Sequence, residues 1–407
     1  MLPSQGVDKT SPDEFFIRDK WIGKRISYSA NTLPLCVILA RCDEEIVPIE
    51  FQKFYPSSSL SFQQYIRIPL PDRSYALSSF TSERWFSNDV PDTRTMGELW
   101  KLLTSRPLPT SGELTRLYGD FGQLWLNGAR SIRDPRFNSG KERLPLWVLT
   151  AWHDMVNFAE TQSSLEKAYR SLQELIKQKP VANHFPTVDS VFRNVKWNQS
   201  FKHGGVTISA YEFAPLLRQV MLSDTVTQGM ISYLQDRLFR DPVQRQNHYI
   251  CGTGFSSFIS VAEKRNRMSA RILKDIEDAV ARNATLQVWV PVLREKHEVV
   301  IKIDFGARTV GYGDTLPGFS PPRVVAEHIR SWIKLRYKIN FSWVGKASVE
   351  HGIQEDGISC IPGTANMIAH AIWGDELWTI KERMLDRVRW FVNLTTVSTT
   401  ITARRLV

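Results

Sequence analysis

The sequence has little cysteine. Four residues, Cys36, Cys42, Cys251 and Cys360, are scattered over 407 positions, too few and too far apart for a disulfide scaffold. No CxxC pair or Cys/His cluster occurs, which excludes the common zinc sites, and nothing in the sequence calls for a metal or cofactor. Long apolar runs are missing as well. The longest, around Leu33 to Ala40, is far short of a membrane span, and no basic-then-apolar leader opens the chain. The expectation is a soluble protein with no membrane association, in the reducing interior of a cell, nucleus or cytoplasm. Internal repeats and low-complexity tracts are absent. Acidic residues fall short of basic ones, 42 against 52, for a formal net charge of +10. Lys264-Arg265-Asn266-Arg267 with Arg271, and Arg330, Lys334, Arg336 and Lys338, are basic stretches that offer a surface to nucleic acid or an acidic protein partner. A solvated basic face without a ligand is the simpler account of each, and no DNA-reading module accompanies them.

The length and apolar content suit two domains, each with its own core. Phe15 to about Leu77 carries short apolar runs, among them Leu35 to Leu39 and Tyr65 to Leu70, between Pro, Ser and Asp clusters, and reads as strands and loops. From about Thr95 the period turns helical: Met96 to Leu103, Gly112 to about Leu126, and a third helix from Pro145. Val148, Leu149, Trp152, Met155, Val156 and Ala159 form one packing stripe, and Leu165, Ala168, Tyr169, Leu172 and Ile176 a second, ending before Pro180. Residues 1–190 show no legible chemistry. Lys179 to Pro186, bracketed by two prolines, is the best linker, placing a domain boundary near 190. Beyond it come a strand at Val206 to Ser209, helices between Phe213 and Phe239, mixed structure from Tyr249 to Val261, and an amphipathic helix from Met268 to Arg282.

Chemistry concentrates near the C-terminal end. Ile361, Ala365, Ile368, Ala369 and Ile372 recur at helical spacing with Pro362 in the first turn, so Cys360 opens a helix. Free N–H groups and the positive dipole end there favour thiolate over thiol. Gln354 lies six residues upstream, a side-chain amide suited to donate to an oxyanion. Val288 to Asp304 reads as two short strands broken at Pro291, with His297 beginning the second and Val299, Ile301 and Ile303 alternating on one face. A turn at Gly306 leads into a return strand, Thr309 to Asp314. The hairpin so formed carries the Asp314 carboxylate, seventeen residues after His297, back toward the imidazole. Cys, His, Asp and Gln together make an acyl-transfer site. His351, nearer to Cys360 in sequence, is a rival base on a loop with no fixed approach to the thiol. Three lookalikes are set aside. Asp304-Phe-Gly306 lacks the other kinase motifs, Gly252-Thr-Gly254 lacks the third glycine and lysine of a phosphate loop, and Trp125-Leu-Asn-Gly128 lies too far before His297.

The order His297, Asp314, Gln354, Cys360 at these separations resembles the ubiquitin-like-protein proteases, the SUMO-protease family, over about residues 200–380. Trp289-Val-Pro291 before the histidine resembles the family's strand ending in Pro. Ile303-Asp304 with Tyr312-Gly-Asp314 resembles its acidic markers, and Leu216 to Asp224 resembles a motif in which Trp-Leu-Asn-Asp precedes a helix. The resemblance implies a papain-like (adenain-like) α+β cysteine protease fold for residues 191–407, behind a mixed α/β, partly helical N-terminal domain, strand-rich to about residue 90 and helical over 95–180. It also implies cleavage after the C-terminal glycine of a SUMO-like modifier, with that modifier and its conjugates as partners. Met221, Asp224 and Glu298 then fall at substrate-binding places. The two tryptophans that clamp a Gly-Gly tail in the family are replaced here by Met221 and Glu298, and Asp-Cys-Gly around the nucleophile by Ser359-Cys360-Ile361. Glu298 reads as an exposed strand-edge residue. A drifted module that binds a modifier or nucleic acid, and an acyltransferase on a related His/Cys scaffold, are the other functions compatible with these residues.

Overall fold

The structure, a computed structural model, describes residues 35–72, 80–137, 140–203, 205–264, 271–294, 296–316, 318 and 320–396. The chain divides into two compact units, Met1–Ser57 with Arg67–Ser163, and Ser58–Ile66 with Ser164–Val407. In chain order the helices begin with α1 (Leu35–Glu45), α2 (Ile49–Gln52) and α3 (Phe62–Tyr65), the last belonging to the second unit. Most of the expected N-terminal strands therefore fall on helix or outside the described residues. Leu35 to Leu39 is a short apolar run, which cannot be told from a buried strand by periodicity, and the helix formers Ala40 to Glu45 continue it as one helix.

The first unit goes on with β1 (Phe86–Ser87), α4 (Met96–Thr104), α5 (Ser111–Leu126), an antiparallel partner for β1 in β2 (Ser131–Ile132), and α6 (Val148–Leu175). Capping boxes start α4 and α5. Thr95 and Thr110 accept the backbone N–H of Glu98 and Glu113, whose carboxylates accept in return. Phe51, Trp85, Leu117, Phe121, Trp125 and Trp152 are the heart of its core. The division between units passes inside α6, at 163/164, rather than near residue 190. Residues 179–186 supply α7 (Lys179–Ala182) and the start of α8 (Phe185–Asn194). Pro180 and Pro186, which bracket the expected linker, sit at the first positions of those helices, where a missing N–H is tolerated.

The second unit is α+β. After β3 (Ser200–His203) and β4 (Val206–Ser209), an antiparallel pair, come α9 (Asp224–Arg240), α10 (Pro242–Asn247), β5 (His248–Ile250), α11 (Phe255–Lys264) and α12 (Arg271–Arg282). Then follow β6 (Gln287–Arg294), β7 (His297–Asp304), β8 (Thr309–Gly313), α13 (Arg323–Tyr337), β9 (Ser342–Ala347), α14 (Cys360–Trp373) and α15 (Arg383–Thr396). The sheet order is β5-β6-β7-β8-β9, with β5 parallel to β6, β9 parallel to β8, and antiparallel pairing between. Val299, Ile301 and Ile303 pack into one core with Phe255, Ile276 and Trp332. On the other face, Gly313 stands where a Cβ would lie 2.7 Å from Met367 of α14 and 3.3 Å from Val300. Pro291 does not break β6. It pairs with Val300, beyond the three residues bonded by β5, so β6 is locally a sheet edge, the setting in which a strand accepts proline. Among the described residues no helix is long and apolar enough to cross a membrane.

Candidate active site

The turn leading into α14 is organised by a residue the sequence reading passed over. Asp356 Oδ1 accepts the backbone N–H groups of Ile358 at 3.0 Å and Ser359 at 2.9 Å, and Oδ2 accepts the Ser359 hydroxyl at 2.8 Å. Ser359 itself makes no side-chain cap, so Asp356 fixes the approach to the helix in its place. Cys360 follows as the first helical residue and is 2% exposed.

The β7–β8 hairpin delivers the imidazole and a carboxylate to each other. Its register pairs Val300 with Gly313, which brings Asp314, just past the end of β8, beside the start of β7. His297 Nε2–H donates to Asp314 Oδ1 at 2.6 Å, and both side chains are buried. The Leu316 N–H donates to the same oxygen at 2.8 Å and holds the carboxylate in place. His297 also hydrogen-bonds Cys360, and with Nε2 taken by Asp314, Nδ1 is the nitrogen left to face the sulfur. Burial works against a charge on this imidazole, but the bonds to Asp314 and Cys360 outweigh it and raise its pKa to about 9.

Gln354 joins the same assembly through Thr315, the residue after Asp314. Its backbone N–H donates to the Thr315 carbonyl at 2.6 Å, and its side-chain oxygen accepts the Thr315 hydroxyl at 2.9 Å. The amide nitrogen donates to the Asp356 carbonyl, which aligns it with the turn before Cys360. Gln354 and Thr315 are 2% and 1% exposed, so this amide is fixed by packing as well as by bonds. The first turn of α14 lies hard against the same loop: a Cβ on Gly363 would stand 2.6 Å from the Thr315 methyl. One turn on from Cys360, Thr364 Oγ1 donates to the Glu298 carbonyl at 3.1 Å and ties the helix to β7.

His297, Asp314, Gln354 and Cys360 are thus brought together. The substrate-binding expectations fare differently. Glu298 is 2% exposed rather than a strand-edge residue, because α14 packs over its strand, as the Thr364 bond records. Burial first, and then the Asp224 charge, push its carboxyl up to about 8, so it is largely protonated at neutral pH. Asp224 is exposed at the start of α9, capped by Ser223, and Met221 is 45% exposed. His351 donates from Nδ1 to the Val349 carbonyl at 2.8 Å. Of the basic stretches, residues 265–270 lie outside the described residues, while Arg330 donates to the Phe341 carbonyl at 2.7 Å and Arg336 pairs with Glu277 at 2.7 Å.

Sequence reasoning missed Thr315, Asp356 and Arg387, a fully buried arginine on α15. Asp356, three residues before Ser359 and just ahead of an apolar-periodic run, carried a capping signal. Arg387 carried a different signal, a cation on the apolar stripe of Met384, Val388 and Phe391.

No protein-family model matches the chain, and no curated protein matches it. Among solved structures it is similar to the C-terminal Ulp1 protease domain in complex with Smt3, the yeast ortholog of SUMO, at 15% identity and a TM-score of 0.40, covering 54% of this chain and 94% of that one. It is also similar to the Chaetomium thermophilum Ulp1-like SUMO protease catalytic domain, at 17% identity and a TM-score of 0.36, covering 47% and 79%. The Xanthomonas campestris effector XopD, solved bound to ubiquitin, is similar at 14% identity and a TM-score of 0.27, covering 42% and 91%.

Proposed function

We propose that this protein is a cysteine peptidase that cleaves the bond after the C-terminal glycine of a ubiquitin-like modifier of the SUMO type. The observation that carries the reading is the relay of contacts from Asp314 to His297 to Cys360, with the thiol at a helix N-terminus. The choice of modifier rests on the spacing of these residues with Gln354. In the reaction His297 takes the thiol proton, and the Cys360 sulfur attacks the scissile carbonyl carbon. The Gln354 amide and the Cys360 backbone N–H receive the oxyanion. His297 then gives its proton to the leaving amine as the C–N bond breaks, leaving a thioester that water hydrolyses with His297 as base. Asp314 holds the imidazole in the tautomer with hydrogen on Nε2 and supports the imidazolium. Residues 1–190 stand outside this chemistry, and a reducing compartment keeps the thiol free.

A panel of ubiquitin-like proteins carrying C-terminal thiol-reactive electrophiles tests the reading. Capture of a SUMO-type probe by wild type, lost in Cys360→Ser and much slowed in His297→Ala, is the expected result. Failure of every probe to label Cys360 would sink it.

A further inference from the structure

Arg387, on α15, is 0% exposed and, among the described residues, bonds only to backbone carbonyls. Nη2 donates to Pro215 at 2.9 Å and Val220 at 2.7 Å, Nε to Leu216 at 3.4 Å, and Nη1 to Ile358 at 3.4 Å. Three of these carbonyls lie on the segment that leads through Met221 into α9, and the fourth lies two residues before Cys360. A buried guanidinium ordinarily has a carboxylate to itself, since an uncompensated interior charge is costly. Here no carboxylate is hydrogen-bonded to it among the described residues. Burial lowers its pKa to about 10, while the charges of Asp356, Asp386 and Cys360 support it and Arg383 opposes it. Asp386 is itself driven up to about 7 by burial and leaves Oδ2 unbonded, so it is a weak counter-charge. Asp356 is committed to the turn before the nucleophile.

We propose that Arg387 is a positioning residue of the Cys360 site: its fork fastens the turn before the nucleophile to the 215–220 segment. This rests on the peptidase reading above and adds a residue to its machinery. The experiment takes the full chain as wild type, Arg387→Met and Arg387→Lys, with folding checked by circular dichroism. Iodoacetamide labelling of Cys360 is followed by mass spectrometry against pH, and kcat and KM are measured on a coumarin amide of the modifier tail. Arg387→Met, without the fork, should lose on the order of 10- to 100-fold in kcat at little-changed KM. Arg387→Lys, which keeps the charge but cannot reproduce the fork, should also lose on the order of 10-fold or more in kcat at little-changed KM. A folded Arg387→Met protein with wild-type kcat overturns the proposal. So does an Arg387→Lys protein with full kcat, and that result decides the matter where the methionine variant fails to fold. If wild-type Cys360 labels no faster than the fully buried Cys251 at any pH, the peptidase reading falls and this proposal with it, an outcome distinct from a failure of Arg387 alone.

Discussion

At the scale of single residues, His297 and Glu298 are neighbours in sequence that both hold protons more tightly in the folded chain than in the unfolded one. For His297 the stabilising contribution is complete below its ordinary value of about 6.5 and is lost as pH rises through about 9. For Glu298 the penalty of ionising in place is absent below the ordinary glutamate value of about 4.3 and complete above about 8. Both terms make stability fall with rising pH. Glu298→Gln removes the second one, so its melting temperature should match wild type at pH 4 and exceed it at pH 8.5; equal pH dependence in the two proteins would show that Glu298 ionises without cost. The Gln354 amide is expected to act only on the transition state. Gln354→Ala should lower kcat by about 100- to 1000-fold with KM nearly unchanged, in steady-state assays on the captured modifier's coumarin amide.

At the scale of elements, the site depends on how closely α14 approaches the loop after β8. Gly363 allows it, because an added Cβ would fall 2.6 Å from the Thr315 Cγ2. Gly363→Ala should therefore move the helix start away from the Asp314–Thr315 loop and lower kcat. Thr315→Ser removes that methyl and keeps the hydroxyl bonded to Gln354, so the double variant should regain much of the loss. A cycle showing simple additivity would mean the contact does not set the site. These elements were legible in sequence because each kept one period: alternation over Val299, Ile301 and Ile303, helical spacing after Cys360. Other features depend on packing that no local pattern carries. The apolar run that opens α1 has a pattern that would suit a strand equally, Pro180 and Pro186 fit linker brackets as well as helix starts, and the burial of Glu298 comes from a helix more than sixty residues further along.

At the scale of the molecule, the unit that holds the site draws in a short segment from far upstream. In α3, Phe62 packs edge-on against Phe192 at 5.4 Å, and Tyr65 stacks on Trp197 at 4.4 Å, both of them fully buried. Ser61 bridges Lys196, and the Trp197 N–H donates to the Leu60 carbonyl at 3.1 Å. A fragment of residues 164–407 alone should therefore melt lower than the same fragment supplied with a 58–66 peptide. Calorimetry with and without the peptide checks this, and no shift at saturating peptide would show that the segment only decorates the unit. The opposite end of that unit has a consequence for synthesis. His297, Asp314, Gln354 and Cys360 all leave the ribosome before Arg387, so the Ile358 carbonyl, in a turn Asp356 already braces, gains its Arg387 bond only when α15 docks. On the peptidase reading proposed above, the nucleophile turn would therefore gain its Arg387 restraint only after all four site residues have been synthesised.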